Sequence, residues 1–465
     1  MRKTLLFTCL AAVSMTGCTM APRYTRPEAP VSASFGKDEA VAANALRADE
    51  TGWRDFYKDP HLQNLIQAAL ENNRDLRVTA LKVEKMRAMY RIQRAALLPT
   101  VNATGALSRT RKADDLVSST QDNISDEYSA KLGTASWEID LWGRVRSLKN
   151  EALETYLASE ETSRSVRISL VAEVARQYLT RLSLAENRRL AGDTLASVTR
   201  NRELVQRMRG IGKSSEMDMQ TAEAQVAKAQ GDVAAYERQL AAADNALFVL
   251  VGRPLSMEEV SGAPLGEIAL TMEIAPGLPS DLLARRPDIL AAEHTLKAAN
   301  ADIGAARAAF FPKIALTGSV GTASDELSGL FDSGNSTWNF APSITMPIFA
   351  GGAVKSAYDV ARIAERIEIA NYEKAIQTAF KEVADTLAAN EPLERELLAD
   401  TALVAAQAKR LELAEARYKA GFDSYLSVIT AQEALYSAEQ SLIATRLARL
   451  ENSVTMYKVL GGGWK

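Results

Sequence analysis

The sequence predicts a mainly helical chain that carries a small transmembrane β-sheet, the whole built twice over. Three observations carry this. One is a long internal repeat, announced by "RAALLPTVNATG" at 94–105 and "RAAFFPKIALTG" at 307–318. Another is a set of helical apolar stripes longer than a globular core needs. The last is a few segments in which apolar and polar residues alternate, the period of a strand.

The repeat holds a fixed register. Leu70 and Leu283, Arg94 and Arg307, and Pro99 and Pro312 each stand 213 positions apart. Gly143 and Gly352, Gly212 and Gly421, and Gly252 and Gly461 each stand 209 apart. The shift of four falls between Pro99 and Gly143, where loops are expected. Duplication on this scale predicts two structurally equivalent halves.

From the amino terminus, "MRKTLLFTCLAAVSMTGC" places Arg2 and Lys3 before a short apolar run and then small residues. This is a secretory signal at 1–17, too short for a span of about 20 apolar residues. Its ending resembles a bacterial lipobox, which would make Cys18 the lipidated first residue; Met15 departs from the usual Leu. Thr19 is not the Asp that implies inner-membrane retention in such lipoproteins. With Cys9 removed, Cys18 is the one cysteine left and no intrachain disulfide is expected. Residues 18–60 read as the lipidated N-terminal segment.

The first repeat, 61–252, opens with a helix over 61–98, ended by Pro99. Extended segments follow within 100–142, including "YSAKLGTASWEIDLW" (128–142). A very long helix then runs from Gly143 to about Arg209, turns at Gly212, and a shorter helix returns to Val251. Residues 253–279, rich in proline and glycine, read as a connector with a short strand. The second repeat, 280–465, has a helix over 280–311, extended segments within 313–350, a long helix from Gly352 to about Lys419, a turn at Gly421 and a return to Leu460. Val171, Val174, Ala175, Tyr178, Leu182 and Ala185 form the apolar stripe, with counterparts Phe380, Val383, Ala384 and Leu387. Pro392 is expected to kink or break the second long helix, having no counterpart proline at Ser183.

The extended segments set the class. In "TWNFAPSITMPIF", Trp338, Phe340, Pro342, Ile344, Met346 and Ile348 fall on one face and more polar residues on the other. A membrane strand needs about 9–11 residues, apolar toward lipid; the alternative is a soluble sheet with one buried face. Every helical segment is studded with charges, while the signal places the chain at a membrane. An open four-stranded sheet cannot sit in lipid with unpaired edges. Two chains would give eight strands and a filled interior; three give twelve and an open lumen. A homotrimer with a 12-stranded barrel, four strands per chain, is the expectation.

"LLARRPDI", "AARAAFFP", "WEIDLWGR", "AGFDSYLSVITAQEALYSAEQ" and "LGGGW" together resemble the TolC-type outer membrane factor family, in its lipoprotein branch, over the whole mature chain. The resemblance implies a homotrimer whose barrel continues into a long α-helical barrel across the periplasm, with residues 18–60 joining a belt around the helices. It implies partners too: a periplasmic adaptor protein, an inner-membrane pump of the resistance-nodulation-division type, and outer membrane lipid. The two reversals, 207–218 and 417–426, then form a periplasmic tip that is both gate and docking surface, with Gly212, Gly421, Arg209 and Lys419 at the docking turns. Tyr418 and Asp218 match positions whose hydrogen bond helps close the tip in the family, and Leu426 matches a pore-narrowing residue. Thr430 and Ser427 stand where many relatives are acidic, which leaves Asp423 and Asp218 as the nearby negative charge.

Enzymatic readings find little here. Only His61 and His294 occur, neither among Cys, Asp or Glu at a ligand spacing, so no metal, cofactor or catalytic set is predicted. A net charge of −3 supplies no basic field for nucleic acid. A duct for protein secretion of the type I class, and a structural coiled-coil lipoprotein, stay open as alternatives; the second predicts a soluble sheet and no pore.

Overall fold

The computed structural model describes residues 19–32, 46–48, 50–117, 122–270, 274–275 and 285–463. The signal at 1–17 and Cys18 lie outside the described residues. Each repeat runs helix, strand, strand, long helix, return helix. The first has α1 (Pro60–Asn72), α2 (Arg74–Ala95), β1 (Asn102–Arg111), β2 (Ile124–Glu138), α3 (Arg144–Gly210) and α4 (Glu216–Val251). The second has α5 (Pro287–Ala308), β3 (Lys313–Ser324), β4 (Ser336–Thr345), α6 (Ala353–Lys419) and α7 (Tyr425–Val459).

The repeat survives at the backbone. Helices α3 and α6 both contain 67 residues, and Arg144 and Ala353 stand 209 positions apart. Helices α2 and α5 both contain 22, starting 213 apart. All three glycine pairs of the 209 register keep positive φ: Gly143 and Gly352, Gly212 and Gly421, Gly252 and Gly461.

Two expectations change. The helix over 61–98 is in fact two, parted at Asn73, whose ψ of 130° leaves helical space. Asn73 accepts from Leu76 N at 2.9 Å, capping α2, and donates Nδ2 to Leu250 O at 2.8 Å; a cap bond made locally competes with helix continuation. Conversely, Pro392 does not break α6. Pro392 and Ala388 are both on the exposed face, so the carbonyl that loses its donor is open to water, and packing of the remaining turns offsets the roughly 3 kcal/mol penalty.

The chain divides into two compact units. One contains residues 1–28, 82–160 and 291–373, and holds the sheet, antiparallel in the order β1-β2-β3-β4. Its strands stop at Glu138 and Thr345, short of the expected 142 and 350. Cross-strand register gathers apolar residues into rows: Ala103, Leu132, Val320 and Trp338 lie side by side, and Gly318 pairs Phe340 on the same face. The opposite face carries Thr104, Lys131, Gly321 and Thr337. The apolar face is open, with Trp338 78%, Phe340 63% and Ile344 71% exposed. A β-carbon at Gly133 would come within 2.3 Å of Gly318 O, and one at Gly321 within 2.1 Å of Ala130 O, so the strands approach too closely there for any other residue.

Where the sheet meets the helices, Trp142 donates Nε1 to Pro312 O at 2.9 Å and stacks on Phe311. Asp140 accepts from the amides of Val145 and Arg146, opening α3. In the same unit the segment from Thr19 lies along α5, antiparallel to it. Thr19 Oγ1 meets Ser147 Oγ at 3.2 Å, Met20 O accepts from Arg307, Pro22 O accepts from Asn300, and Tyr24 and Arg26 both donate to Glu293.

The other unit contains residues 29–81, 161–290 and 374–465. Its core gathers Trp53, Phe56, Leu62, Leu65, Ile66, Val174, Tyr178, Leu247, Ile289 and Tyr457. Leu46–Arg47 pairs in parallel with Ile274–Ala275, which supplies the strand expected of the connector. The α3 stripe is buried as expected from Val171 to Leu182, with Ala185 only half-buried. On α6 the counterpart Val383 is buried as expected, beside Ile376 and Ala379, while Phe380, Ala384 and Leu387 are only half-buried.

Candidate functional site

Four helix ends meet at the reversals 207–218 and 417–426, all within the second unit. Both long helices end in the same bonding pattern. Gly212 N donates to Arg209 O and Lys213 N to Met208 O; Gly421 N donates to Tyr418 O and Phe422 N to Arg417 O. This is a Schellman cap, whose left-handed residue is glycine because a β-carbon is penalised there.

Beneath the turns Val205, Met219, Ala222, Ala414, Tyr418, Tyr425, Val428, Ile429 and Ala431 form one buried cluster. The Tyr418 and Tyr425 ring centroids lie 5.5 Å apart. Burial raises the Tyr418 hydroxyl pKa and pushes that of Tyr425 up to about 12, so both stay neutral at physiological pH.

The Tyr418–Asp218 bond expected from the resemblance is not made within the chain. Tyr418 Oη is buried without a hydrogen-bond partner. Asp218 Oδ2 instead accepts from Ser215 N at 2.9 Å, Ser215 Oγ at 2.8 Å and Ser214 Oγ at 3.0 Å, while Ser215 Oγ accepts from Asp218 N. That is a capping box opening α4. The Ser215 amide bond leads in holding the Asp218 carboxyl below its ordinary pKa. The signal, "SSEMD", was readable in the sequence as a serine three positions before a carboxylate.

The second reversal is tied differently. Ser424 stands at the N-cap of α7 without a side-chain cap bond, and Ser427 occupies the position of Asp218. Asp423 forms a two-pronged ion pair with Arg417 at 2.6 and 3.1 Å, a partner the sequence reading missed. Arg209 pairs with Glu216, and Lys419 with Glu415 at 3.5 Å. Leu426 is 63% exposed, and Met217, its counterpart in the 209 register, 77%. Ile211 and Phe422 are exposed as well.

No group of three or more His, Cys, Asp or Glu able to hold a metal occurs among the described residues. His294 Nδ1 lies 2.6 Å from Glu154, a structural contact. No described helix is long and apolar enough to cross a membrane.

Residues 65–253 and 278–462 each match the family model described as outer membrane efflux protein, so the model is met once in each repeat. The chain is 45% identical over 467 residues to the antibiotic efflux pump outer membrane protein ArpC of Pseudomonas putida, covering 100% of this chain and 96% of that protein. The same figures hold for the toluene efflux pump outer membrane protein TtgC of Pseudomonas putida. Among solved structures, the open state of the MtrE outer membrane channel of Neisseria gonorrhoeae superposes with a TM-score of 0.87 at 42% identity, over 96% of this chain and 99% of that one.

Proposed function

This chain belongs to the outer membrane efflux protein family, and on that premise we propose that three copies close their sheets into one 12-stranded barrel whose bore continues between the helices. As a family member the chain is the outer membrane exit duct of an efflux system, working with an adaptor and an inner-membrane pump; in our reading the pump is of the resistance-nodulation-division type.

The observation that carries the reading is the sheet. Its apolar face is exposed along aligned rows, and its outer strands β1 and β4 each pair on one side only. A soluble sheet of the rival coiled-coil lipoprotein would bury that face. In lipid the exposed rows are satisfied, and unpaired edge groups must find partners on neighbouring copies. Lipidation of Cys18 fits the segment from Thr19 that straps along α5: Thr19 and Met20 are bound near the sheet end of α5, beside the strand that starts at Lys313.

Within this reading the reversal end is the periplasmic gate. Leu426, exposed on the first turn of α7, forms the apolar ring when repeated by three-fold symmetry, and the Arg417–Asp423 pair holds the turn behind it. Asp218 acts chiefly by fixing the neighbouring turn. Arg209 and Lys419, exposed beside Gly212 and Gly421, face the adaptor. Opening is a shift between two packings of the helix ends.

Purified protein in planar bilayers should give stepwise conductance, and native mass spectrometry should give a mass three times that of the mature chain. A silent bilayer together with a monomeric mass would overturn the reading.

A further inference from the structure

Two guanidinium groups gather on one tyrosine near the start of α6. Arg307 donates Nε and Nη2 to Tyr358 Oη at 3.4 and 3.3 Å, and its Cζ lies 5.6 Å from the ring centroid. The Cζ of Arg362 lies 5.9 Å from the same centroid, and Phe310 meets that ring edge-on. Neither arginine forms an ion pair among the described residues, whereas Arg144 and Arg146, half-buried like Arg307 and in the same unit, each hold a carboxylate. Arg307 is half-buried. Two cations sharing one ring repel each other, and the Arg307 donors reach only neutral oxygens, which leaves its charge uncompensated. An anion bound from outside the chain would neutralise both guanidinium groups at once.

The surroundings specify which anion. From Arg307 the chain passes Phe310 and Phe311, both exposed, into β3 at Lys313. Ile348 and Phe349, the latter 92% exposed, precede α6. Arg307 Nη1 also donates to Met20 O, two residues beyond the predicted lipid attachment at Cys18. Aromatic residues and cations at the end of a lipid-facing sheet are the pattern of the headgroup layer. We propose that Arg307 and Arg362, oriented by Tyr358, clamp the phosphodiester of a phospholipid in the periplasmic leaflet, an inference that rests on the membrane reading of the sheet. The equivalent positions in the first repeat are Arg94, Lys149 and Leu153, so the clamp occurs once per chain.

The test uses the full oligomer released from membranes, with native mass spectrometry reading bound lipid. Added phosphatidylglycerol should be retained at one per chain, and diacylglycerol, which lacks the phosphate, should not. The Arg307→Gln/Arg362→Gln double variant should bind phosphatidylglycerol roughly tenfold or more weakly. Arg362→Gln alone, at an exposed position, should show part of that loss even if the double variant misfolds. Equal retention of diacylglycerol, undiminished binding by Arg362→Gln, or displacement of the lipid by equimolar inorganic phosphate would each overturn the clamp. Protein that inserts into vesicles of phosphatidylglycerol and of phosphatidylethanolamine but shows no loss on mutation overturns the clamp alone. Protein that inserts into neither overturns the membrane reading with it.

Discussion

At Asp218 a single carboxylate oxygen takes three hydrogen bonds from two serines, while the tyrosine expected to share it does not bond to it. Two opposite outcomes follow. Asp218→Ala should cost about 1 kcal/mol of local stability by removing the carboxylate half of the capping box, read as roughly fivefold faster hydrogen exchange at the amides opening α4. Tyr418→Phe should leave exchange and conductance unchanged, since it deletes a hydroxyl that already lacks a partner in the chain. The acid dependence has a fixed sign. Because the folded Asp218 carboxyl titrates below its ordinary value, its stabilisation is present above about pH 4 and fades as pH falls through the folded value. Exchange at the same amides, followed from pH 5 downward, reads this once corrected for intrinsic rates. Leu426 and Met217 occupy the same place in the two repeats, yet only Leu426 is assigned to the bore. Leu426→Ala should therefore raise single-channel conductance, and Met217→Ala should not.

Among the elements, the N-caps at the two reversals differ in their N3 partner. Ser424 stands where Ser215 does, but Ser427 gives it no carboxylate to complete the box. Ser427→Asp should supply one, slow exchange at the start of α7 by a few-fold, and add cation preference to the conductance by placing a charge near the leucine ring. The strap along α5 depends on the missing side chain of Gly304, where a β-carbon would meet Ser147 Oγ at 2.5 Å and Ala21 N at 2.7 Å. Gly304→Val should lift the strap and speed tryptic cleavage after Arg23. At its other end Glu293, only 2% exposed, is held charged against the cost of burial by Arg26 and Lys297. Much at this scale was legible. The 209 register placed both long helices to within about a residue, because helix starts and stops are punctuated by glycine and proline. The break at Asn73 was not legible, since it needs the Leu250 carbonyl, 177 positions away. Nor was the survival of α6 through Pro392, which depends on that proline facing outward. The strap escaped too: its partners on α5 lie more than 260 positions on.

For the whole molecule, what one copy leaves open is as informative as what it buries. Alternation in "TWNFAPSITMPIF" indicated a two-faced sheet but not whether water or lipid met the apolar side. The proposal of lipid rests on the rows of Leu132, Val320 and Trp338 lying open, and on two unpaired edges. Cysteines scanned along β1 against one at Ser343 on β4 should crosslink between copies and yield covalent trimers on denaturing gels. Crosslinking confined to single chains would sink the closed barrel. The identity of the cargo stays outside the duct: relatives equally similar to this chain are named for antibiotics and for toluene.

The equal length of α3 and α6 has a further consequence. Their ends converge on the shared cluster around Tyr418 and Tyr425, so seven residues cut from one arm would draw its hinge out of that cluster by about 10 Å. The same cut made in both arms, and matched in the return helices α4 and α7, would leave the junction intact and shorten the proposed conduit. A gene of this kind can change its reach only by editing both of its copies together.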